Sequence, residues 1–365
     1  MYKVDNYING KSCSISTESS PIINPSYGCE IGEVHYATAE SANLAVESAY
    51  QAAKSWSRTG LTFRAELILK FRQGVIDRSS EIIDICINEA GKTKPDAEAE
   101  LDRAVQALTH VAGVQHFYPT HFSQNVAGGI DIADLRFPIG VVAGVGPFNF
   151  PILIPILHSA MALVTGNTYI AKPSEKVPSI SRLYADIYED IGLPDGCFNV
   201  INGGKEIVEQ LVRHEKVNGL AFIGSTVAAK SLKILGVEHN TKVQALGGGK
   251  NHMIVLPDAD LDMSADAAVS ASFGAAGQRC MAVSVVVAVG NIADELLDKI
   301  KERMPSLVMG VTDDDETQLG PVISQENKDK IYSFIDSAEP DGATLVVDGR
   351  IRSNSLEGCL SLIHI

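Results

Sequence analysis

The chain has 365 residues, of which 45% are hydrophobic and 21% charged, and its formal net charge is -15. This length can bury the cores of two or three domains, and the composition is typical of a soluble globular protein. The acidic balance disfavours nucleic acid and anionic membranes as main partners, because their phosphates would be repelled. The 6 cysteines are widely spaced without a C-x-x-C pair, which disfavours zinc and disulfide scaffolds. A cytoplasmic protein is predicted.

The first part of the chain is predicted to be helical, since apolar residues recur every three or four positions across residues 40–112. The next segment, "FSQNVAGGIDIADLRFPIG", alternates in short pieces and predicts a β-hairpin excursion. From Gly140 to Gly249, short apolar runs closed by Gly or Pro alternate with helical segments. This rhythm predicts an open parallel sheet with helices on both faces. The runs are "GVVAGVG", "TYIAKP", "CFNVIN", "GLAFIG" and "KVQALGG".

A second alternating set follows Gly249 and predicts another α/β unit, with a domain boundary near that glycine. Its predicted strands are "HMIVLP" and "VSVVVAVG", the latter a core strand because of its continuous apolar run. The acidic run "DDDE" at residues 313–316 is predicted to be a solvated turn rather than a metal site.

Ligands of open α/β sheets bind beyond the carboxyl ends of the strands, and one such end carries charged side chains. The segment "TYIAKPSEK" places Lys172 just after a strand, with Glu175 and Lys176 in the next turn. An ammonium and a carboxylate there can bind the two hydroxyls of a ribose. The carboxylate would repel a 2′-phosphate, which favours NAD over NADP, although Lys176 weakens that preference.

Two further strand ends suit a dinucleotide. Gly224 and Ser225 lie between a strand and a helix in "GLAFIGSTVAAK", where free N–H groups can hold a pyrophosphate. The segment "VVAGVGPFNFP" brings Gly146, Phe148 and Asn149 to another strand end, which suits a flat ring and an amide donor. The usual G-x-G-x-x-G fingerprint is absent. Each feature taken alone is equally consistent with a helix cap or a strand-end ion pair.

The candidate nucleophile is Cys280, in "FGAAGQRC". A lone cysteine is usually buried and inert, but two neighbouring features favour reactivity here. Arg279 places a fixed positive charge beside the thiol, which favours the thiolate. The glycines and alanines before it leave space for a substrate.

Five ordered motifs, "PFNFP", "KPSE", "FIGS", "GGK" and "GQRC", resemble the aldehyde dehydrogenase superfamily across about residues 7–349. The resemblance implies a Rossmann-type NAD-binding domain at residues 1–119 and 138–245, with an oligomerisation hairpin at 120–137. It also implies an α/β catalytic domain at residues 246–365. In that family the cysteine attacks the aldehyde, and Asn149 with a backbone N–H stabilises the oxyanion. Hydride passes to NAD and leaves a thioester, and Gly247 belongs to the cofactor-binding residues.

One departure from the family concerns the general base. Ordinary members have a glutamate in "ELGGK", whereas alignment of "ALGGGK" on Lys250 puts Leu246 in its place. Losing a positioned general base costs on the order of 10²–10⁴ in rate. The thioester is then expected to persist until a thiol attacks it. In this respect the sequence resembles the CoA-acylating methylmalonate-semialdehyde dehydrogenase branch of the family. That branch forms acetyl-CoA or propionyl-CoA with loss of CO₂.

The resemblance implies that Arg279 and Arg103 bind the substrate carboxylate. The alternatives are a structural role for Arg279 and, for Arg103, a surface ion pair with Asp102 or Glu98. The tail "IRSNSLEGCLSLIHI" no longer matches the family, so a truncated catalytic domain is expected, with no role for Cys359.

The resemblance implies a homotetramer, although the assembly of this chain stays open. Two other functions stay open as well. One is a hydrolytic NAD-dependent aldehyde dehydrogenase, and the other is an inactive fragment that binds NAD.

Overall fold

A computed structural model describes residues 1–16, 18–118 and 120–350. The tail predicted to be atypical, residues 351–365 with Cys359, lies outside the described residues.

The N-terminal segment forms short strands that the sequence patterns did not predict. They are β1 (Tyr2–Val4), β2 (Asn6–Ile8), β3 (Lys11–Cys13), β4 (Ser19–Asn24) and β5 (Cys29–His35). Strand β5 lies between β1, its parallel neighbour, and β4, its antiparallel neighbour, in a small sheet. Strands β2 and β3 instead join the main sheet of the protein.

The predicted helical region is confirmed. It consists of α1 (Ala39–Trp56), α2 (Leu61–Asp77), α3 (Ser79–Ala90), α4 (Lys94–Ala112) and the short α5 (Val114–Phe117). Thr38 begins α1 in a capping box with Ser41. Thr93 begins α4, where its side chain accepts the N–H of Asp96. Gly91 caps the C-terminal end of α3, and its φ of 64° is left-handed and favours glycine.

The predicted hairpin is also present, as β6 (Phe122–Ala127) and β7 (Ile130–Ala133). Every residue of both strands is exposed. Phe122, Ile130 and Ile132 are 67%, 54% and 56% exposed, so the hairpin presents an apolar surface.

The main sheet confirms the predicted alternation of strands and helices. Its elements in chain order are β8 (Val141–Val145), α6 (Leu153–Val164), β9 (Thr168–Lys172), α7 (Ser179–Asp190), β10 (Phe198–Val200), α8 (Lys205–Arg213), β11 (Val217–Ile223), α9 (Thr226–Glu238) and β12 (Lys242–Leu246). The strand order is β12-β11-β8-β9-β10-β2-β3. The pairs from β12 to β10 are parallel, whereas β2 runs antiparallel to β10.

Apolar side chains cover both faces of this sheet. On one face, α2, α3, α4, α6 and α7 enclose a cluster that includes Phe71 stacked on Tyr188, with ring centroids 3.9 Å apart. On the other face, α1, α8 and α9 enclose a cluster that includes Val141, Ile170 and Leu220. Because the strand order places β11, β8 and β9 side by side and parallel, their carboxyl ends share one edge.

A second α/β unit follows, with β13 (Asn251–Val255), α10 (Leu261–Phe273), β14 (Val283–Ala288), α11 (Ala293–Arg303) and α12 (Gln325–Ala338). Strands β13 and β14 form a separate parallel pair. The prediction that β14 is a core strand is wrong, since none of its residues is fully buried and Val287 is 40% exposed. Within the described part of the chain, β14 pairs with β13 alone, so its other edge has no strand partner there.

The acidic run at residues 313–316 is exposed, in agreement with the predicted turn, and the Tyr27 hydroxyl donates to Asp313 at 2.8 and 2.7 Å. No metal-binding group of His, Cys, Asp and Glu occurs among the described residues. Within the same residues, no helix is long and apolar enough to cross a bilayer. The predicted domain limits stay predictions.

Candidate active site

The candidate nucleophile follows a strained turn. Helix α10 ends at Phe273 and leads into a 3₁₀ turn in which Ala275 and Ala276 have φ values of 52° and 54°. Left-handed backbone costs a residue with a Cβ about 1–2 kcal/mol, and such strain concentrates at functional sites. Cys280 comes three residues after this turn, which ends at Gly277, and is exposed.

The backbone around Cys280 is anchored to β13. The Asn251 amide donates to the carbonyl oxygens of Cys280 and Ala282, both at 2.9 Å. Asn251 is the first residue of β13. These bonds therefore fix the segment from Gln278 to Ala282, here called the cysteine loop, at the start of the sheet formed by β13 and β14. Neither the contact nor the residue was identified from the sequence.

Gln278 joins the cysteine loop to the loop that carries Asn149. Asn149 is half-buried, and its Nδ2 donates to the Gln278 carbonyl at 2.8 Å. The Gln278 side chain accepts the N–H of Ile323 at 3.0 Å and donates to the Pro321 carbonyl at 3.3 Å. The predicted oxyanion residue and the predicted nucleophile are therefore parts of one hydrogen-bonded structure. Gln278 lies in the "GQRC" motif, which was the available signal for it.

Arg279 forms an ion pair with Asp96, in the first turn of α4. Its guanidinium lies across Gly274, where an added Cβ would approach Nη1 to 2.6 Å. The side chain remains 32% exposed, so a carboxylate can still reach it. The sequence predicted the arginine but not its partner, because 183 positions separate the two residues.

Arg103 is exposed on α4, and its Nη1 donates to Gln106 Oε1 at 3.2 Å. The alternative of an ion pair with Asp102 or Glu98 is wrong within the described residues, since neither carboxylate is its partner. Arg103 lies two helical turns beyond Asp96, about 10 Å along the axis and on the same face of α4. That face therefore carries both Arg103 and the partner of Arg279.

The residue in the place of the family's general base ends β12. The Leu246 side chain is 51% exposed, and its carbonyl accepts the N–H of Gly224 at 3.1 Å. Gly247 follows, where an added Cβ would lie 2.9 Å from Thr226 Oγ1, so the close approach requires glycine. The Thr226 hydroxyl also accepts the N–H of Gly248 at 3.2 Å. These contacts join the carboxyl ends of β11 and β12.

Lys172 is the last residue of β9 and is buried. Its ammonium donates to the Gly203 carbonyl at 2.8 Å and lies 3.6 Å from Glu175 Oε2. Burial lowers the pKa of Lys172, and Glu175 opposes that change. Lys176 is half-buried beside this pair, and the N–H of Gly146 donates to the Lys172 carbonyl at 3.1 Å.

The other predicted cofactor residues occupy the neighbouring strand ends. An added Cβ on Gly224 would lie 2.6 Å from the Phe222 ring, so a larger residue would require that ring to shift. Ser225 caps α9 by accepting the N–H of Ala228 at 3.3 Å. Phe148 packs half-buried against the core cluster that includes Phe71. These strand ends, at one edge of the sheet, provide a charged pair, a tight glycine turn and a capped helix start, which fits a dinucleotide.

The fold and the placement of these residues are typical of an aldehyde dehydrogenase. Residues 13–361 match the model of the aldehyde dehydrogenase family, and the chain belongs to that family. The predicted family and its fold class are thereby confirmed.

Malonate-semialdehyde dehydrogenases are among the similar proteins. The one from Bacillus pumilus (strain SAFR-032) is 37% identical over 94% of this chain and 71% of its own length. The one from Lacticaseibacillus casei is 36% identical over 97% and 72%.

Two solved structures are also similar to this chain in fold and sequence. A methylmalonate-semialdehyde dehydrogenase from Oceanimonas doudoroffii has a TM-score of 0.96 and 36% identity, covering 100% of this chain and 75% of that one. A candidate methylmalonate-semialdehyde dehydrogenase from Sinorhizobium meliloti 1021, complexed with NAD, has a TM-score of 0.92 and 39% identity, covering 96% and 72%.

Proposed function

We propose that this protein oxidises malonate or methylmalonate semialdehyde with NAD and transfers the acyl group to coenzyme A. The relatives named for these semialdehydes support the substrate class. The observation that carries the acyl transfer to CoA is Leu246, an apolar side chain at the end of β12 where ordinary family members have a general base.

The first half of the reaction forms a thioester on Cys280. The thiolate attacks the aldehyde carbon, and the Asn149 amide and a backbone N–H donate to the developing oxyanion. Bound NAD would supply the hydride acceptor for the same carbon, and with the hydride lost the carbonyl re-forms as a thioester on Cys280. Asn149 and Cys280 act from one hydrogen-bonded unit, because Gln278 joins their loops.

The second half releases the product. The carbon–carbon bond to the carboxylate breaks, CO₂ leaves, and the α-carbon takes up a proton. Leu246 cannot accept a proton from water, so hydrolysis of the thioester is slow. The thiol of CoA then attacks, its proton is released, and the Cys280 thiolate leaves. In sum, malonate semialdehyde, NAD and CoA are converted to acetyl-CoA, CO₂ and NADH.

The carboxylate of the substrate requires cationic partners, and we assign them to Arg279 and Arg103. Arg279 adjoins the nucleophile, and Asp96 fixes its guanidinium while leaving it partly exposed. Arg103 is exposed on the same face of α4. A bidentate guanidinium–carboxylate contact would orient the aldehyde toward Cys280.

Lys172 and Glu175 would bind the adenosine ribose, with Gly224 and Ser225 at the pyrophosphate and Gly146, Phe148 and Gly247 lining the remaining cofactor contacts. The Glu175 carboxylate favours NAD over NADP, because it repels a 2′-phosphate, and Lys176 reduces the difference. The exposed apolar hairpin supports assembly into the tetramer expected for the family. A cytoplasmic location stays a prediction.

A rapid-mixing experiment with malonate semialdehyde and NAD tests the proposal. We expect one equivalent of NADH in a burst without CoA, and steady turnover only after CoA is added. The Cys280→Ala variant should bind NAD and show no burst. Steady turnover without CoA at a comparable rate would instead indicate a hydrolytic dehydrogenase. NAD binding without any burst would indicate an inactive NAD-binding chain.

A further inference from the structure

A buried ion pair lies next to the loop that carries Asn149. Lys92 precedes α4 and Glu100 lies within it, and they are only 6% and 4% exposed. The Lys92 ammonium contacts Glu100 Oε2. Two charges removed from water are costly to hold, and the cost is offset only when further contacts satisfy both groups. Those further contacts lead to the Asn149 loop.

Glu100 caps the helix that follows Asn149. Its Oε1 accepts the N–H groups of Ile152 and Leu153, each at 2.8 Å. Helix α6 begins at Leu153 and has no side-chain cap from its own N-terminal residue, so Glu100 supplies the cap from another helix. The Tyr184 hydroxyl donates to the Ile152 carbonyl at 3.1 Å, which fixes this residue from its other side.

Lys92 holds the residue directly after Asn149. Its ammonium lies 4.6 Å from the centroid of the Phe150 ring, a cation–π contact in a buried setting. The two members of the pair thus hold different residues of the segment that follows Asn149. On the other side, the Asn149 amide itself binds the Gln278 carbonyl.

We propose that Lys92 and Glu100 are positioning residues, which act through Phe150 and the start of α6 to hold the Asn149 amide where the oxyanion forms. The proposal rests on the function of Asn149 in the proposed reaction. Neither charged group belongs to the motifs that carry that reaction. A displacement of about 1 Å in such a donor reduces the rate by about 100-fold, so a rigid support has a direct catalytic effect.

The first test is Glu100→Gln, which keeps the shape and an acceptor oxygen but leaves Lys92 without a counter-charge. We expect the NADH burst to slow by about 10- to 100-fold, since an oxyanion donor contributes about 10²–10³. The dissociation constant for NAD, from fluorescence titration, should change less than about 2-fold, because the ribose and pyrophosphate residues, Lys172, Glu175, Gly224 and Ser225, lie at the ends of β9 and β11. A loss of NAD affinity equal to the loss of burst rate would overturn the proposal.

Lys92 provides a second pair of variants. Lys92→Met removes the cation and should slow the burst similarly, whereas Lys92→Arg keeps a cation for both Phe150 and Glu100 and should restore most of the rate. Equal rates in the two variants would exclude a function of the charge. This comparison decides the question even if Glu100→Gln does not fold.

A double-mutant cycle separates positioning from general stability. In an Asn149→Ala background the donor is already missing, so Glu100→Gln should lower the residual burst rate by less than about 3-fold. A full loss in that background would show that Glu100 acts independently of Asn149.

The matched control is Glu89→Gln. Glu89 is also a buried glutamate that accepts an N–H at the start of a helix, from Ser179 at the first residue of α7. Tyr184, the residue of α7 that contacts Ile152, lies more than one turn beyond Ser179, so the N–H that Glu89 accepts is not part of that contact. We expect this variant to keep the burst rate of the wild type, and a loss equal to that of Glu100→Gln would overturn the proposal.

Hydrogen exchange gives a readout that needs no turnover. Deuterium uptake by residues 149–157 should be at least about 10-fold faster in Glu100→Gln than in the wild type, and unchanged in Glu89→Gln. A wild-type chain without a burst would contradict the proposed function, while unchanged exchange in Glu100→Gln would contradict the positioning function.

Discussion

Glu89 should make the stability of this protein depend on pH in an unusual direction. The carboxyl is fully buried at the end of α3, where the Tyr2 hydroxyl donates to it at 2.5 Å and the Ser179 N–H at 3.3 Å. Burial raises the pKa of Glu89 from its ordinary 4.5 to about 7, and hydrogen bonding to Ser179 and Tyr2 only partly opposes that change. The folded protein therefore keeps a proton that the unfolded chain has released.

The sign follows from proton binding. Below pH 4.5 both states are protonated, and between pH 4.5 and about 7 only the folded state retains the proton. The free energy of unfolding consequently falls as pH rises through this window and stays lower above it. The pKa values of Glu89 in the folded and unfolded states differ by about 2.5, which corresponds to about 3 kcal/mol of stability at about 1.36 kcal/mol per pKa unit. Most acidic groups have the opposite effect, because ion pairing lowers their pKa.

Urea unfolding of the wild type and of Glu89→Gln at pH 5, 6, 7 and 8 measures this contribution. The variant should gain about 2–3 kcal/mol relative to the wild type between pH 5 and pH 8. His158 titrates in the same window with the opposite sign, since burial lowers its pKa from 6.5 to about 4 and stability falls with acidification. The wild type and Glu89→Gln both contain His158, so its effect cancels in the difference between their free energies of unfolding. Parallel curves for the two proteins would refute the reasoning.

Three other substitutions test the site and its loop, and a fourth serves as a control. Leu246→Glu, at a half-exposed strand end, should raise CoA-independent NADH turnover by about 10²–10⁴, and a reaction that still stops after one turnover would contradict the assignment. Arg279→Met should lower kcat/KM for malonate semialdehyde by about 10- to 100-fold more than kcat/KM for propanal, which lacks a carboxylate, and equal losses would indicate that Arg279 acts on the thiol or the loop and not on the carboxylate. Ala276→Gly should raise the free energy of unfolding by about 1 kcal/mol in urea, because its φ is left-handed. Ala268→Gly, inside α10, should lower it by a similar amount, and equal signs would contradict the strain.

The main sheet was predictable from the sequence because its strands are short apolar runs that end at Gly or Pro. Buried parallel strands have this pattern, and the helices between them have an independent period. The strand ends were predictable for the same reason, so Lys172 and Gly224 could be assigned to one edge of the sheet. Leu246 required the family resemblance, since an exposed leucine has no chemistry of its own.

The N-terminal strands could not be predicted in this way. Strand β2 has three residues, and it joins β10 of the main sheet through a single pair, Tyr7 with Val200. A strand of that length has too few residues for an alternation to be recognised, and its conformation is stabilised by the distant partner strand. The exposure of β14 was missed for a related reason, because an apolar run specifies a strand but not what covers it.

Helix α4 is where local and non-local information meet. Asp96, Glu100 and Arg103 recur at intervals of four and three, so the sequence alone places them on one face of a helix. It does not say that Asp96 meets Arg279 or that Glu100 caps α6, since these partners are distant in the chain. Asp96 and Glu100 are one turn apart, about 6 Å, so this helix fixes the separation of its contacts with the cysteine loop and the Asn149 loop. A shift of α4 would therefore displace the nucleophile and its oxyanion donor together.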